Sequence, residues 1–160
     1  MTTARIIGTR IEFHDALRAA LTEVAEAGCR ELLLCDEDFA EWPLGERAIV
    51  ELFTRWAGAQ RRLVVLARSF DVIARRHARW VEWRTQWAHV VECRALEEGE
   101  SGVLPTLLLA PGQVCVRLFD PERYRGNVSH EPLELVRERE SFDAVSQRSL
   151  TAFPPTTLGL

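Results

Sequence analysis

Seven arginines fall within residues 61–84, and they are the densest set of side chains in this sequence able to hold an anion. A guanidinium is permanently charged and presents a planar fork of donors that matches phosphate and carboxylate oxygens. Arg68 directly follows a short apolar run, and open α/β sheets place their ligands where a strand ends. Arg75, Arg76 and Arg79 follow within a dozen residues. These four are the candidates for binding an anion, whether a phosphate ligand or a nucleic acid. The competing reading is a solvated helix face that pairs with an acidic block. Residues 31–60 hold seven acids against Arg47 and Arg55, whereas residues 61–84 hold seven arginines against Asp71 and Glu82.

Other groupings carry less. Asp36, Glu37 and Asp38 also follow an apolar run, and clustered carboxylates can hold Mg²⁺. No phosphate motif stands beside them, so helix capping or solvation is the better reading. His77-Ala78-Arg79 places an imidazole two residues before a cation, but in a helical setting that reads as a surface or helix-face histidine. Trp80, Trp83 and Trp87 recur at i, i+3 and i+7. Such a stripe can stack bases, yet it is more often core or a dimer seam. Cys and His show no zinc-like spacing, and neither GxSxG nor a glycine-rich phosphate loop occurs. No cofactor and no metal site are expected.

Composition bounds the rest. The chain has 160 residues, 47% apolar and 28% charged, which is ordinary usage for one folded domain. We read residues 1–160 as a single domain with flexible tails at 1–4 and 151–160. No window approaches a membrane span, and MTTARIIGTR lacks the apolar core of a signal peptide, so a cytoplasmic protein is expected. The four cysteines include no close pair and read as reduced, mostly buried small hydrophobes. All 20 basic residues are arginine, which excludes any mechanism that needs a lysine. A net charge of -4 argues against a general polyanion binder.

The elements that must position these residues are legible from periodicity. Phe13, Leu17, Ala20, Leu21 and Val24 mark a helix that stops at Gly28. ELLLC at 31–35 is a buried strand that runs into the acidic turn. Ile49, Leu52, Phe53 and Trp56 mark a second helix, followed by LVVLA at 63–67. Strand, helix and strand in this order predict a right-handed crossover and a parallel sheet. Residues 70–87 form one or two helices, and HVVEC at 89–93 is a third strand. In GVLPTLLLAPGQVCVRLFD, residues 102–120, two apolar strands flank an Ala-Pro-Gly-Gln turn with proline second and glycine third. The chain after Glu131 is helical in its later part, with Phe142 and Val145 inward.

Over about residues 30–120 this order of elements resembles one half of a phospholipase D superfamily domain. The resemblance implies an α/β phospholipase D-like half-fold: a mixed, largely parallel sheet, a hairpin in the C-terminal half and helices on both faces. In that superfamily the first hairpin strand carries H-x-K-x4-D, whose imidazole attacks phosphorus while the lysine binds a phosphate oxygen. Laid on this hairpin, the motif falls on Leu104, Thr106 and Pro111. No histidine lies between His89 and His130, and the downstream Gly-Ser pair is missing. The chain thus resembles a degenerate, non-catalytic bacterial relative with no catalytic residues, acting as a binding or assembly module. Single half-domains of the family pair through their hairpins, so the resemblance implies a homodimer with Leu104, Thr106 and Leu108 at a packed seam. Nucleic-acid or phosphate binding through residues 61–84 is the alternative. A phosphodiesterase with a site relocated to the acidic turn or His77 ranks last.

Overall fold

The computed structural model of the protein describes residues 5–58 and 60–155. The segments 1–4 and 156–160, expected as tails, lie outside the described residues.

The chain begins with strand β1 (Arg5–Ile7) and helix α1 (Arg10–Ala27). Sequence explains both ends of α1. Thr9, the N-cap, accepts the Glu12 amide at 3.1 Å, and Glu12 reaches back to accept the amide of Gly8, the residue before the cap, at 2.8 Å. At the other end Gly28 takes a left-handed conformation, φ 71°, and closes the helix onto the Val24 carbonyl. Strand β2 (Glu31–Cys35) leads through a long loop to α2 (Arg47–Trp56), and β3 (Arg62–Ala67) follows. Helices α3 (Asp71–Arg76) and α4 (Ala78–Gln86) break at His77. Then come β4 (Val91–Leu96), β5 (Thr106–Ala110), β6 (Val114–Asp120), a 3₁₀ turn at Pro121–Arg123, β7 (Arg125–Ser129), α5 (Pro132–Ser146) and β8 (Ser149–Thr151).

The eight strands form one sheet in the order β1-β7-β6-β5-β2-β3-β4-β8. It is mixed, as expected, but it is not largely parallel. Only β2–β3 and β3–β4 are parallel, and the other five pairings are antiparallel. Parallel neighbours need a long crossover, and only α2 and the α3–α4 pair supply one between adjacent strands. The β5-β6-β7 meander has turns too short for anything but antiparallel pairing. Its first turn is the expected one: Gln113 donates to the Ala110 carbonyl at 2.9 Å, and Gly112 sits at φ 76°.

Buried strands alternate their apolar residues between two cores. Leu32, Leu34, Val65 and Leu108 pack under α1 to α4, whereas Leu33, Val64, Leu107 and Leu109 pack under α5 with Leu135 and Phe142. Helices therefore cover both faces. Three differences from expectation are local. The third strand begins at Val91 rather than His89, because Val90 turns back on Trp87 at 2.8 Å. The last helix starts at Pro132, whose fixed φ suits a first turn. The expected C-terminal tail, 151–160, is partly ordered: its first residue Thr151 ends β8, which pairs with β4, and Phe153 stacks on Phe70 with ring centres 5.2 Å apart.

Candidate functional site

The carboxyl ends of β2, β3 and β4 lie at the same edge of the sheet as the start of β5 and the end of β6. A cavity of about 240 Å³ opens there. Phe13, Trp42, Leu104 and Leu118 give it an apolar floor, and Asp36, Asp38, Glu41 and Glu122 stand on its rim with Tyr124. No arginine or histidine lines it among the described residues.

Two of the three motif-equivalent positions are here. Leu104 is 3% exposed and packs in the α5-side core, and Thr106 is 4% exposed. The Thr106 hydroxyl donates to Asp36 Oδ1 at 2.6 Å. Pro111 stands at the opposite end of β5, about 16 Å away for five extended residues, so the three positions do not converge. Leu108 is fully buried in the α1-side core. The seam expected of Leu104, Thr106 and Leu108 is thus filled by the chain's own core.

The acidic turn is organised by its own backbone. Asp36 Oδ2 accepts the amides of Phe39 at 2.8 Å and Asp38 at 3.3 Å, and Asp38 accepts that of Ala40 at 2.9 Å. These are turn bonds rather than the expected helix cap, since α2 begins only at Arg47, and Phe39 is turned to φ 60°. Burial pushes the Asp36 carboxyl above its ordinary value, and the bonds from Thr106, Phe39 and Asp38 oppose that rise. Glu37 moves the other way, held down chiefly by the Arg68 guanidinium. Among the described residues no group of three or more His, Cys, Asp or Glu is placed to hold a metal ion.

The four candidate arginines separate. Arg68 Nε donates to Glu37 at 2.8 Å and Nη1 to the Glu100 carbonyl at 3.0 Å, while Nη2 donates to Gly102. Glu37 also accepts the Leu104 amide at 2.8 Å. Arg68 therefore clamps the loop that enters β5, with four of its five N–H donors spent inside the protein. Arg75 is exposed on α3. Arg76 and Arg79 lie together over a different, solvent-open depression with Arg10, His14 and His77. The pairing of basic with acidic segments is partly realised, since Arg62 bonds Glu31 at 2.9 Å and Arg68 bonds Glu37.

His77 is not a surface histidine. It is 6% exposed at the α3–α4 break, and its Nε2 meets the Phe39 carbonyl at 2.9 Å. No nucleophile stands with it. Trp80 and Trp83 are 0% and 4% exposed, so the tryptophan stripe is core, with only Trp87 partly open. Cys35, Cys93 and Cys115 are buried free thiols, and burial pushes Cys115 up to about 12. Such a thiol stays protonated and inert. Trp42, Glu122 and Tyr124 were not singled out by the sequence, and Phe13 only as a helix residue; Trp42, an aromatic beside proline in the loop after a strand, offered a signal.

No protein-family model and no curated protein sequence matches the chain. Two solved structures share its fold. TrmBL2, an archaeal chromatin protein whose structure shows a novel mode of DNA binding, aligns with 94% of this chain at a TM-score of 0.66 and 14% identity. This chain spans about half of TrmBL2, 54%. NucT from Helicobacter pylori aligns with 94% of this chain and 99% of its own at a TM-score of 0.57 and 8% identity. Likeness at these identities is likeness of fold.

Proposed function

We propose that the chain is a non-catalytic phospholipase D-like module that binds a ligand in the cleft at the strand ends. The observation that carries this reading is the pair Thr106 and Asp36. Where the resemblance would put a phosphate-binding lysine, a hydroxyl is bonded to a partly buried carboxylate, and Leu104 takes the place of the nucleophile. Neither supplies the imidazole nucleophile or the phosphate-binding ammonium of the motif, and the Thr106 proton is spent on Asp36. The cleft itself is open, apolar in its floor and acidic at its rim, which suits a ligand with an apolar body and repels a phosphodiester.

Two measurements test this. Phosphodiester hydrolysis with and without Mg²⁺ stays at background. In a thermal-shift screen, neutral and cationic small molecules that stabilise the native chain lose their effect in Leu118→Trp, which fills the cleft. Hydrolysis that co-purifies with the chain, or ligands indifferent to Leu118→Trp, would refute the reading. In the assembly form of this reading two copies pair beside the hairpin through Val103 and Phe119, which are 86% and 66% exposed. Sedimentation showing a micromolar dimer that Phe119→Glu dissociates supports it.

A second reading is nucleic-acid binding through residues 61–84. It is favoured by Arg75, Arg76 and Arg79, which form no ion pair with a described carboxylate. The fold shared with a DNA-binding chromatin protein is compatible with it. Binding of a single-stranded oligonucleotide that weakens steeply with salt is the expected result.

A further inference from the structure

We propose that Arg10, Arg76 and Arg79 form a phosphate-binding site in the depression outside the 36–46 loop; the inference rests on the second reading and replaces a diffuse basic segment with a defined pocket. The depression holds about 570 Å³ and is open to solvent, far larger than one phosphate. A phosphate attached to a longer molecule can therefore enter it.

Three elements supply the three guanidiniums. Arg10 begins α1, Arg76 ends α3 and Arg79 lies in the first turn of α4. Sequence proximity pointed to Arg68 as part of this set, but folding exchanges it for Arg10, which is distant in the chain. Their charge is compensated only in part, by Glu41, which pairs with Arg10 at 3.3 Å and whose pKa is also lowered by the nearby charge of Arg76. Glu46 on the rim is bonded by Arg18 at 2.7 Å. Glu41 accepts the Tyr124 hydroxyl at 2.7 Å on the cleft side and meets Arg10 only through Nε at 3.3 Å. Arg76 has no hydrogen-bond partner among the described residues, and Arg79 spends only Nη1, on the Gly45 carbonyl at 2.7 Å. Each arginine thus keeps nitrogens for an incoming oxyanion, and a tetrahedral phosphate accepts from three forks at once where a planar carboxylate saturates with one or two.

The wall is held in place from below. His14 Nε2 meets the Glu41 carbonyl at 2.7 Å, and His77 Nε2 meets that of Phe39 at 2.9 Å. Carbonyls only accept, so both imidazoles donate from Nε2 and latch the loop. Gly45 packs so close to His77 that an added Cβ would lie 3.2 Å from its Cα. Trp42, 4% exposed, separates this depression from the acidic cleft. The two sites are back to back and opposite in charge.

The test uses inorganic phosphate and a single-stranded oligo-dT, each at low salt, against matched chloride. Phosphate raises the melting temperature of the native chain and competes with the oligonucleotide; Arg76→Ala/Arg79→Ala lowers both affinities at least tenfold, whereas Arg137→Ala on α5 leaves them unchanged. If Arg79→Ala loosens the loop, Arg76→Glu alone carries the test, because that side chain is exposed and partnerless. Oligonucleotide binding that survives both variants overturns this site and leaves the second reading standing. Phosphate binding lost in Arg76→Glu without any oligonucleotide binding upholds the site and overturns the second reading. No response to either probe overturns both.

Discussion

Thr106 Oγ1 donates to Asp36 Oδ1 at 2.6 Å, joining the first residue of β5 to the residue that follows β2. The two are 70 positions apart in sequence and meet because β5 runs antiparallel to β2, with Leu107 opposite Cys35. This bond closes the edge of the sheet at the point where catalysis would be sought. It gives a partly buried carboxylate a neutral donor rather than a cation, so Asp36 remains pushed up by its surroundings.

Thr106→Val keeps the shape and removes the donor. A hydrogen bond to a charged acceptor contributes about 1.5–3 kcal/mol, and loss of that order is expected in urea denaturation at neutral pH. The Asp36 carboxyl should titrate higher still. Equal stability of the two proteins, or an unmoved Asp36 in an NMR titration, would show that the bond carries no such energy.

Asp36→Asn reads the same site through pH. A carboxyl whose folded pKa is raised binds its proton more tightly folded than unfolded, so its contribution to stability falls as pH rises through that interval. Asparagine removes this term: relative to the native chain the variant is most stable at neutral pH, and the advantage shrinks as pH falls below the folded value and is gone below the unfolded one. Glu37, Glu41 and Glu92, all lowered, act oppositely, and their stabilisation is lost as pH falls through their folded values. Denaturation curves of both proteins across the acid range check the sign; a difference that grows on acidification contradicts it.

The tryptophan stripe offers a test of core against stacking platform. Trp80 is fully buried, so Trp80→Ala should cost about 3–5 kcal/mol. Oligonucleotide should not quench the fluorescence of buried Trp80 and Trp83. Quenching with little loss of stability would return the stripe to the surface.

What the sequence made legible follows a physical division. The runs ELLLC and LVVLA, the glycine stop at Gly28 and the Pro-Gly turn are local signals, and each lies where local chemistry puts it. Strands β1 and β8, three residues each, are too short to carry a period, and RGNVS in β7 mixes glycine and polar residues. The same limit explains Arg68. Its type and position suit an anion site, but the loop that consumes its donors lies more than 30 residues downstream, and no spacing rule reports that contact. Asp36–Thr106 and the replacement of Arg68 by Arg10 were hidden for the same reason.

Arg68→Ala tests that clamp. Its side chain and that of Glu37 are 37% and 42% exposed, and an exposed pair contributes about 0–1 kcal/mol, so global unfolding should barely move. The local effect is different. Arg68 ties the carbonyls of Glu100 and Gly102, and the Glu37 carboxylate that it orients accepts the Leu104 amide at 2.8 Å. Without it the 100–104 segment loses its anchor to β2, and the Leu104 amide should exchange hydrogen at least tenfold faster while amides of β2 and β3 remain protected. Val103 and Leu104 also line the acidic cleft, so any ligand found there should bind Arg68→Ala more weakly without Arg68 touching it. Unchanged exchange at Leu104 would mean that β5 holds the segment alone, and the arginine would again be free for a ligand.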